Sequence, residues 1–157
     1  MTKTLPYSRE IARIKKLWKQ ERFDQAIRVV EGLRGEYSGN PQLLVLWASL
    51  VQLQEASNYT LDDACNALKE AVVLDATSPS AAIELGHFLD AVEDDPESAA
   101  KVFAQAAEMA HRQYIAALNG QVNAPRQLDR SPRSKKQIEA IERSLAELQV
   151  KQGRQQG

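Results

Sequence analysis

Apolar residues recur three and four positions apart along most of this chain, and that spacing predicts helices. Alternation of apolar and polar residues with a period of two, which is typical of half-buried strands, is not sustained anywhere. In the first apolar stretch, from Ser8 to Gln20, one side of a helix carries Ile11, Ile14, Leu17 and Trp18. The sequence therefore predicts an all-α protein.

Prolines, glycines and capping residues divide this pattern into successive helices. A second helix begins near Phe23 and stops at the glycines that follow Arg34. A third starts at Asn40-Pro41 and is apolar on nearly all sides, so we expect it to be the most buried. Thr60 with Asp63 predicts the start of the fourth helix, and Ser78-Pro79 ends that unit before the fifth. The acidic turn Glu93-Asp94-Asp95-Pro96 leads into the sixth. Three helical hairpins in succession result.

The pattern changes after His111. It loosens across residues 112–133, which we predict to be a kinked helix or a basic loop. A last helix, 134–150, carries an apolar seam made by Ile138, Ile141, Leu145 and Leu148. This seam spans two heptads, fewer than a coiled coil typically needs, so we expect a C-terminal capping helix. A dimerisation helix is the alternative.

The second helices of the three hairpins share a column of small and large residues. Ala26, Ala64 and Ala99 are 38 and 35 residues apart, and a period in this range is typical of stacked helix pairs. A larger apolar residue follows each alanine after four positions, at Val30, Leu68 and Phe103. Small residues let two helices approach closely, and the next turn fills the space behind them.

These features resemble the tetratricopeptide repeat family. The strongest matches are residues 18–33 and 96–110. In the first helices of the pairs, Trp47 and Leu85-Gly86 also resemble positions of the family's pattern. The resemblance covers residues 7–111 and implies a right-handed helical-repeat solenoid of antiparallel helix pairs. Within a single domain, 1–157, the repeats would be 7–40, 41–78 and 79–111.

The resemblance also implies a binding surface, because the first helices of such pairs line a concave groove that holds a protein segment. The partner-binding groove would contain Ile11, Lys15, Trp18, Lys19, Ala48, Gln52, Glu55, Ile83, His87 and Asp90. Some family members bind an acidic peptide C-terminus through a clamp of Lys, Asn and Arg. The corresponding positions here, Ile11, Lys15, Ser49, Ser80 and Glu84, lack that clamp, which argues against this kind of co-chaperone role.

Charge is distributed in blocks that the net charge of −1 hides. Residues 1–36 carry nine basic and five acidic residues, residues 37–110 two and twelve, and residues 111–157 nine and four. We therefore expect the groove to grade from basic to acidic, which would steer a partner of complementary charge. Neutralisation of the acidic middle by the basic ends, within or between molecules, is the alternative.

The sequence contains only weak motifs for metal binding or catalysis. Glu84 to His87 and Glu108 to His111 both read Glu-x-x-His, but their offset in a hairpin would keep the ligands from converging on a metal. Cys65 is the single cysteine and follows a packing alanine, so we interpret it as a buried thiol. No glycine-rich phosphate loop or catalytic histidine arrangement is present. We expect a protein with no enzymatic activity, no cofactor and no metal.

The single cysteine and the lack of a secretion signal or membrane span in the sequence indicate a cytoplasmic protein. The resemblance, together with the lack of a catalytic motif, implies an adaptor, chaperone-like protein or assembly factor. It would bind another protein or peptide, not a membrane, as a monomer or weak homodimer. A second hypothesis is nucleic-acid binding through the basic residues Arg126, Arg130, Arg133, Lys135 and Lys136, which the acidic middle disfavours. A third is the regulatory subunit of an enzyme.

Overall fold

Seven α-helices make up the secondary structure of the residues that the computed structural model describes, 7–54, 58–128 and 132–155. Side chains are described throughout these ranges except at 125–128, 132–134 and 151–155. The helices are α1 Tyr7–Lys19, α2 Phe23–Glu36, α3 Pro41–Gln52, α4 Leu61–Leu74, α5 Pro79–Ala91, α6 Pro96–Leu128 and α7 Pro132–Gln155. No strand occurs in these ranges, and the prediction of an all-α protein is confirmed.

Side-chain caps start α3 and α4 where the sequence predicts them, and Ser78 caps α5 as well. Asn40 Oδ1 accepts a hydrogen bond from the backbone N–H of Gln42 at 2.9 Å. Thr60 and Asp63 form a reciprocal capping box, in which each side chain accepts from the other residue's N–H. These bonds satisfy N–H groups that have no partner inside the helix.

The chain divides into two compact units, Met1–Ala107 and Glu108–Gly157, with the boundary inside α6. In the first unit, each helix from α1 to α4 packs against the helix that follows it, and α3 also packs against α5. The core of this unit is built mainly by α2, α3, α4 and α5.

Helix α3 is the centre of that core. Six of its twelve residues are buried, a larger share than in any other helix of the described ranges. Leu43 and Leu50 are almost completely inaccessible to solvent. The expectation from its apolar composition is confirmed, since a helix that is apolar on nearly all sides is stable only when surrounded.

The column of small residues in the second helices is buried. Ala26, Ala64 and Ala99 have exposed fractions of 0%, 0% and 2%. Between α5 and α6 the small residue is Gly86, where an added Cβ would lie only 2.7 Å from Cε1 of Phe103. The two helices therefore approach closely at a position that lacks a side chain.

The second unit pairs the end of α6 with α7. Leu118 and Val122 of α6 form one apolar cluster with Ile138 and Leu145 of α7. Residues 112–128 are helical, so in this range the chain is a helix and not a basic loop, and the kink stays a prediction. The reason is that Ile115, Leu118 and Val122 keep the helical spacing and are covered by α7. The seam of α7 thus contacts α6, and its role as a cap on the last repeat stays a prediction.

None of the described helices combines the length and apolar content that crossing a lipid bilayer requires.

Candidate functional site

Helix α1 presents its predicted groove residues in two different ways. Lys15 and Lys19 are exposed. Ile11 and Trp18 are half-buried and pack against the core, where the Trp18 ring meets Phe23 edge-on with centroids 6.4 Å apart. The lysines therefore form an accessible basic surface, and the two apolar side chains fasten α1 beneath it.

Helix α3 contributes less to an open surface than the sequence suggests. Ala48 has no exposed surface, so it belongs to the core and not to a groove. An all-apolar helix does not reveal from its sequence which side faces inward, and this explains the error. Gln52 is half-buried, and its Nε2 donates to the carbonyl oxygen of Ala48 at 3.1 Å. Glu55 lies outside the described residues.

Helix α5 is the most accessible of the three predicted contributors. Ile83 has an exposed fraction of 39%, and His87 and Asp90 are exposed as well. The His87 ring also contacts Phe103 of α6 edge-on, with centroids 5.1 Å apart. This contact restricts the orientation of His87 and leaves the ring at the surface.

Two of the three predicted contributors lie side by side. Helices α3 and α5 pack against each other, and a small cavity of about 120 Å³ between them is lined by Val45, Ser80 and Ala81 among others. Helix α1 packs against α2, whereas the described helices α1 and α3 show no comparable packing. Helix α1, which carries the exposed lysines, is therefore linked to α3 through α2, which packs against both.

The net charge of the helices changes from positive to negative in the order α1, α3, α5. Within Tyr7–Lys19, α1 carries five basic residues and one acidic residue. Helix α3 carries no charged residue, and α5 carries two acidic residues, Glu84 and Asp90, with no basic one. The three helices thus run from basic through neutral to acidic. A field of this kind attracts charged segments and orients them during encounter.

The described residues bring together no cluster of metal-ligating side chains. In the described part of the chain, no three side chains of His, Cys, Asp or Glu come together in a way that could hold a metal ion. Cys65 is buried with a free thiol. Of the basic residues considered for nucleic-acid binding, Lys135 and Lys136 are exposed, and Arg126, Arg130 and Arg133 lie where side chains are not described.

An aromatic cluster links α2, α3 and the segment before α4, and the sequence pattern did not reveal it. The Arg34 guanidinium carbon lies 5.0 Å from the ring centroid of Trp47, and the Tyr59 ring meets Trp47 edge-on at 4.9 Å. The Tyr59 hydroxyl donates a hydrogen bond to Glu31, which raises the pKa of Tyr59. The buried indole Nε1 of Trp47 finds no hydrogen-bond partner among the described residues. Residues so far apart in sequence follow no helical spacing, so no periodic signal marks the cluster.

A second surface feature is a cleft of about 600 Å³ between α1 and α2. Its lining includes Glu10 and Arg13 of α1, which form an ion pair at 3.5 Å, and Arg28, Gly32 and Glu36 of α2. None of these residues belongs to the predicted groove.

Comparisons with models of known protein families, with curated proteins and with solved structures found no match to this chain.

Proposed function

We propose that this chain is a tetratricopeptide-like helical-repeat protein that binds a segment of another protein and carries out no catalysis. The observation that carries the proposal is the ordered change from exposed lysines on α1 to exposed acidic residues on α5. A neutral helix, α3, stands between them in the order of the chain.

The repeat architecture rests on packing. Ala26, Ala64 and Ala99 are all buried at corresponding positions of α2, α4 and α6, as the small positions of stacked helix pairs would be. Contact between α3 and α5 is the contact that the first helices of neighbouring pairs make in a solenoid, and it supports the stacking of the second pair on the third. The described helices α1 and α3 lack the equivalent contact. On this proposal α1 with α2, α3 with α4, and α5 with α6 are antiparallel pairs of a right-handed solenoid.

The partner would be an extended segment that is acidic at one end and basic at the other. Its acidic end would lie over Lys15 and Lys19, and its basic end over Glu84 and Asp90. Complementary charge of this kind contributes mainly to the rate of encounter and to the register of the bound segment. A cytoplasmic adaptor, chaperone-like protein or assembly factor would use such a surface.

Affinity capture from native cells tests the proposal. The chain carrying Lys15→Glu and Lys19→Glu is compared with wild type, and the captured proteins are identified by mass spectrometry. We expect at least one specific partner to be lost, because the segment's acidic end would then face two carboxylates. Circular dichroism should show unchanged helicity, since both lysines are exposed.

A matched control places the same change in charge elsewhere on α1. Arg9→Glu with Lys16→Glu alters two exposed residues of α1 that lie outside the predicted groove and are centred about a quarter turn around the helix from Lys15 and Lys19. This variant should keep every partner. Identical sets of captured proteins for the two double variants would refute the proposed surface.

A further inference from the structure

The outer face of α2 is open along its length and forms one wall of the cleft beside α1. Arg28, Gly32, Gly35 and Glu36 are exposed, and their spacing of three and four residues puts them on one helix face. This face lies away from Ala26, Val30 and Leu33, which are buried in the core. It is therefore a helix surface that the described part of the chain leaves uncovered.

Gly32 and Gly35 have no side chain, so the helix backbone is directly accessible on this face. A Cβ added at Gly32 or at Gly35 would meet no atom within 4 Å. Packing inside the chain therefore does not require glycine at either position, in contrast to Gly86, whose missing Cβ makes room for Phe103. Glycine in a helix interior is less favourable than alanine, but it permits another backbone to approach closely.

The charges on this face are arranged symmetrically about Gly32. Arg28 precedes it by four residues and Glu36 follows it by four. In an antiparallel pair of α2 helices related by a two-fold axis at Gly32, Arg28 of each copy lies at the same height as Glu36 of the other. A parallel arrangement would put Arg28 level with Arg28 and Glu36 level with Glu36. The face is thus complementary in charge to itself in the antiparallel arrangement alone.

We propose that two copies of this chain associate through α2, packed antiparallel about Gly32, with two symmetric ion pairs between Arg28 and Glu36. Gly32 faces Gly32 at the axis, and the bare backbones permit a short distance between the helices. The contact is isologous, so it closes after two copies and leads to a dimer, not a filament. One helix face per copy makes it a weak, concentration-dependent dimer. The proposal is independent of partner binding, because neither Lys15 nor Lys19 lines this cleft.

Sedimentation equilibrium over a range of concentrations, up to the solubility limit, tests the proposal. Wild type should pass from monomer to dimer as concentration rises. Arg28→Glu and Glu36→Arg should each weaken self-association about tenfold, because each puts two like-charged pairs at the interface. Lys101→Glu is a control that changes net charge as Arg28→Glu does, at an exposed site on α6, and it should leave the association unchanged.

Mixing the two charge variants gives the most specific result. A heterodimer of the Arg28→Glu and Glu36→Arg chains restores both oppositely charged pairs, so the mixture should dimerise about as well as wild type. Gly32→Ala should raise the melting temperature of the dilute monomer and weaken the dimer. A wild type that stays monomeric at every concentration, or a mixture no better than either variant alone, would overturn the proposal.

Discussion

Gly32 and Gly86 are the same residue type inside helices of the same unit, and their surroundings are opposite. A Cβ at Gly32 would meet open space, whereas a Cβ at Gly86 would lie 2.7 to 2.9 Å from three ring atoms of Phe103. The contact between α5 and α6 therefore depends on the absence of a side chain at Gly86. The cleft between α1 and α2 does not depend on the missing side chain at Gly32, because a Cβ there would meet no neighbouring atom.

This contrast predicts that alanine substitutions at the two positions change stability in opposite directions. Gly32→Ala should increase the free energy of unfolding by up to about 1 kcal/mol, because alanine is the better helix former. Gly86→Ala gains the same propensity but forces Phe103 out of place. Since overpacking costs about 1–3 kcal/mol, the net change should be a loss of about 1 kcal/mol.

Urea denaturation of dilute protein, where self-association is negligible, measures both changes. In a Phe103→Leu background the loss caused by Gly86→Ala should shrink, because the shorter side chain leaves room for the new methyl group. Equal effects at the two glycines would contradict the close approach of α5 and α6.

For individual residues, the sequence predicted burial correctly at some positions and wrongly at others. The resemblance included Leu85-Gly86 among its matching positions without indicating the close contact found at Gly86, and the buried alanines of α2, α4 and α6 follow from their regular interval. Ala48 was expected at the surface and is fully buried. Its helix is apolar on nearly all sides, so the packing of α2, α4 and α5 against it decides which face is covered.

Among the helices, α4 has the start most clearly encoded in the sequence. Thr60 and Asp63 exchange hydrogen bonds, and those that Asp63 accepts from the backbone N–H and the side-chain hydroxyl of Thr60 lower its pKa. A carboxyl whose pKa is lower in the folded state stabilises that state above its ordinary pKa of about 3.9. The contribution is lost as the pH falls through the lowered value.

Asp63→Asn should therefore reduce the free energy of unfolding at neutral pH, and the difference from wild type should shrink at acidic pH below about 4. Urea titrations at a series of pH values measure this. Asp62→Asn is the matched control, because it removes the same charge one position earlier in the helix. It should cost less at neutral pH, and an equal cost would show that the hydrogen bonds with Thr60 add nothing to the effect of charge.

The end of the long helix α6 is a boundary that the sequence pattern did not predict correctly. Residues 112–133 contain Gly120, Pro125 and Pro132 and were expected to be a kinked helix or a loop, yet the chain is helical through Leu128. Contacts with α7 hold Leu118 and Val122 in an apolar cluster. This stabilisation comes from a segment further along the chain. A prediction from the local glycine and proline content therefore makes the helix too short.

For the whole molecule, the charge blocks of the sequence become surfaces carried by separate helices. Composition alone established the basic beginning and the acidic middle, and the structure puts exposed lysines on α1 and exposed acidic residues on α5. Sequence alone did not indicate that α1 packs only against α2 among the first four helices, or that Arg34, Trp47 and Tyr59 form one cluster. Such contacts join residues with no regular spacing and depend on how the helices fit together.

Selection from a random peptide-display library tests the proposed binding surface most directly. Wild type should enrich peptides that are acidic at one end and basic at the other. The Lys15→Glu, Lys19→Glu variant should enrich peptides that are basic at both ends, and a Glu84→Lys, Asp90→Lys variant should enrich peptides that are acidic at both ends. Absence of enrichment with wild type, or the same peptide charge pattern for all three proteins, would contradict the account.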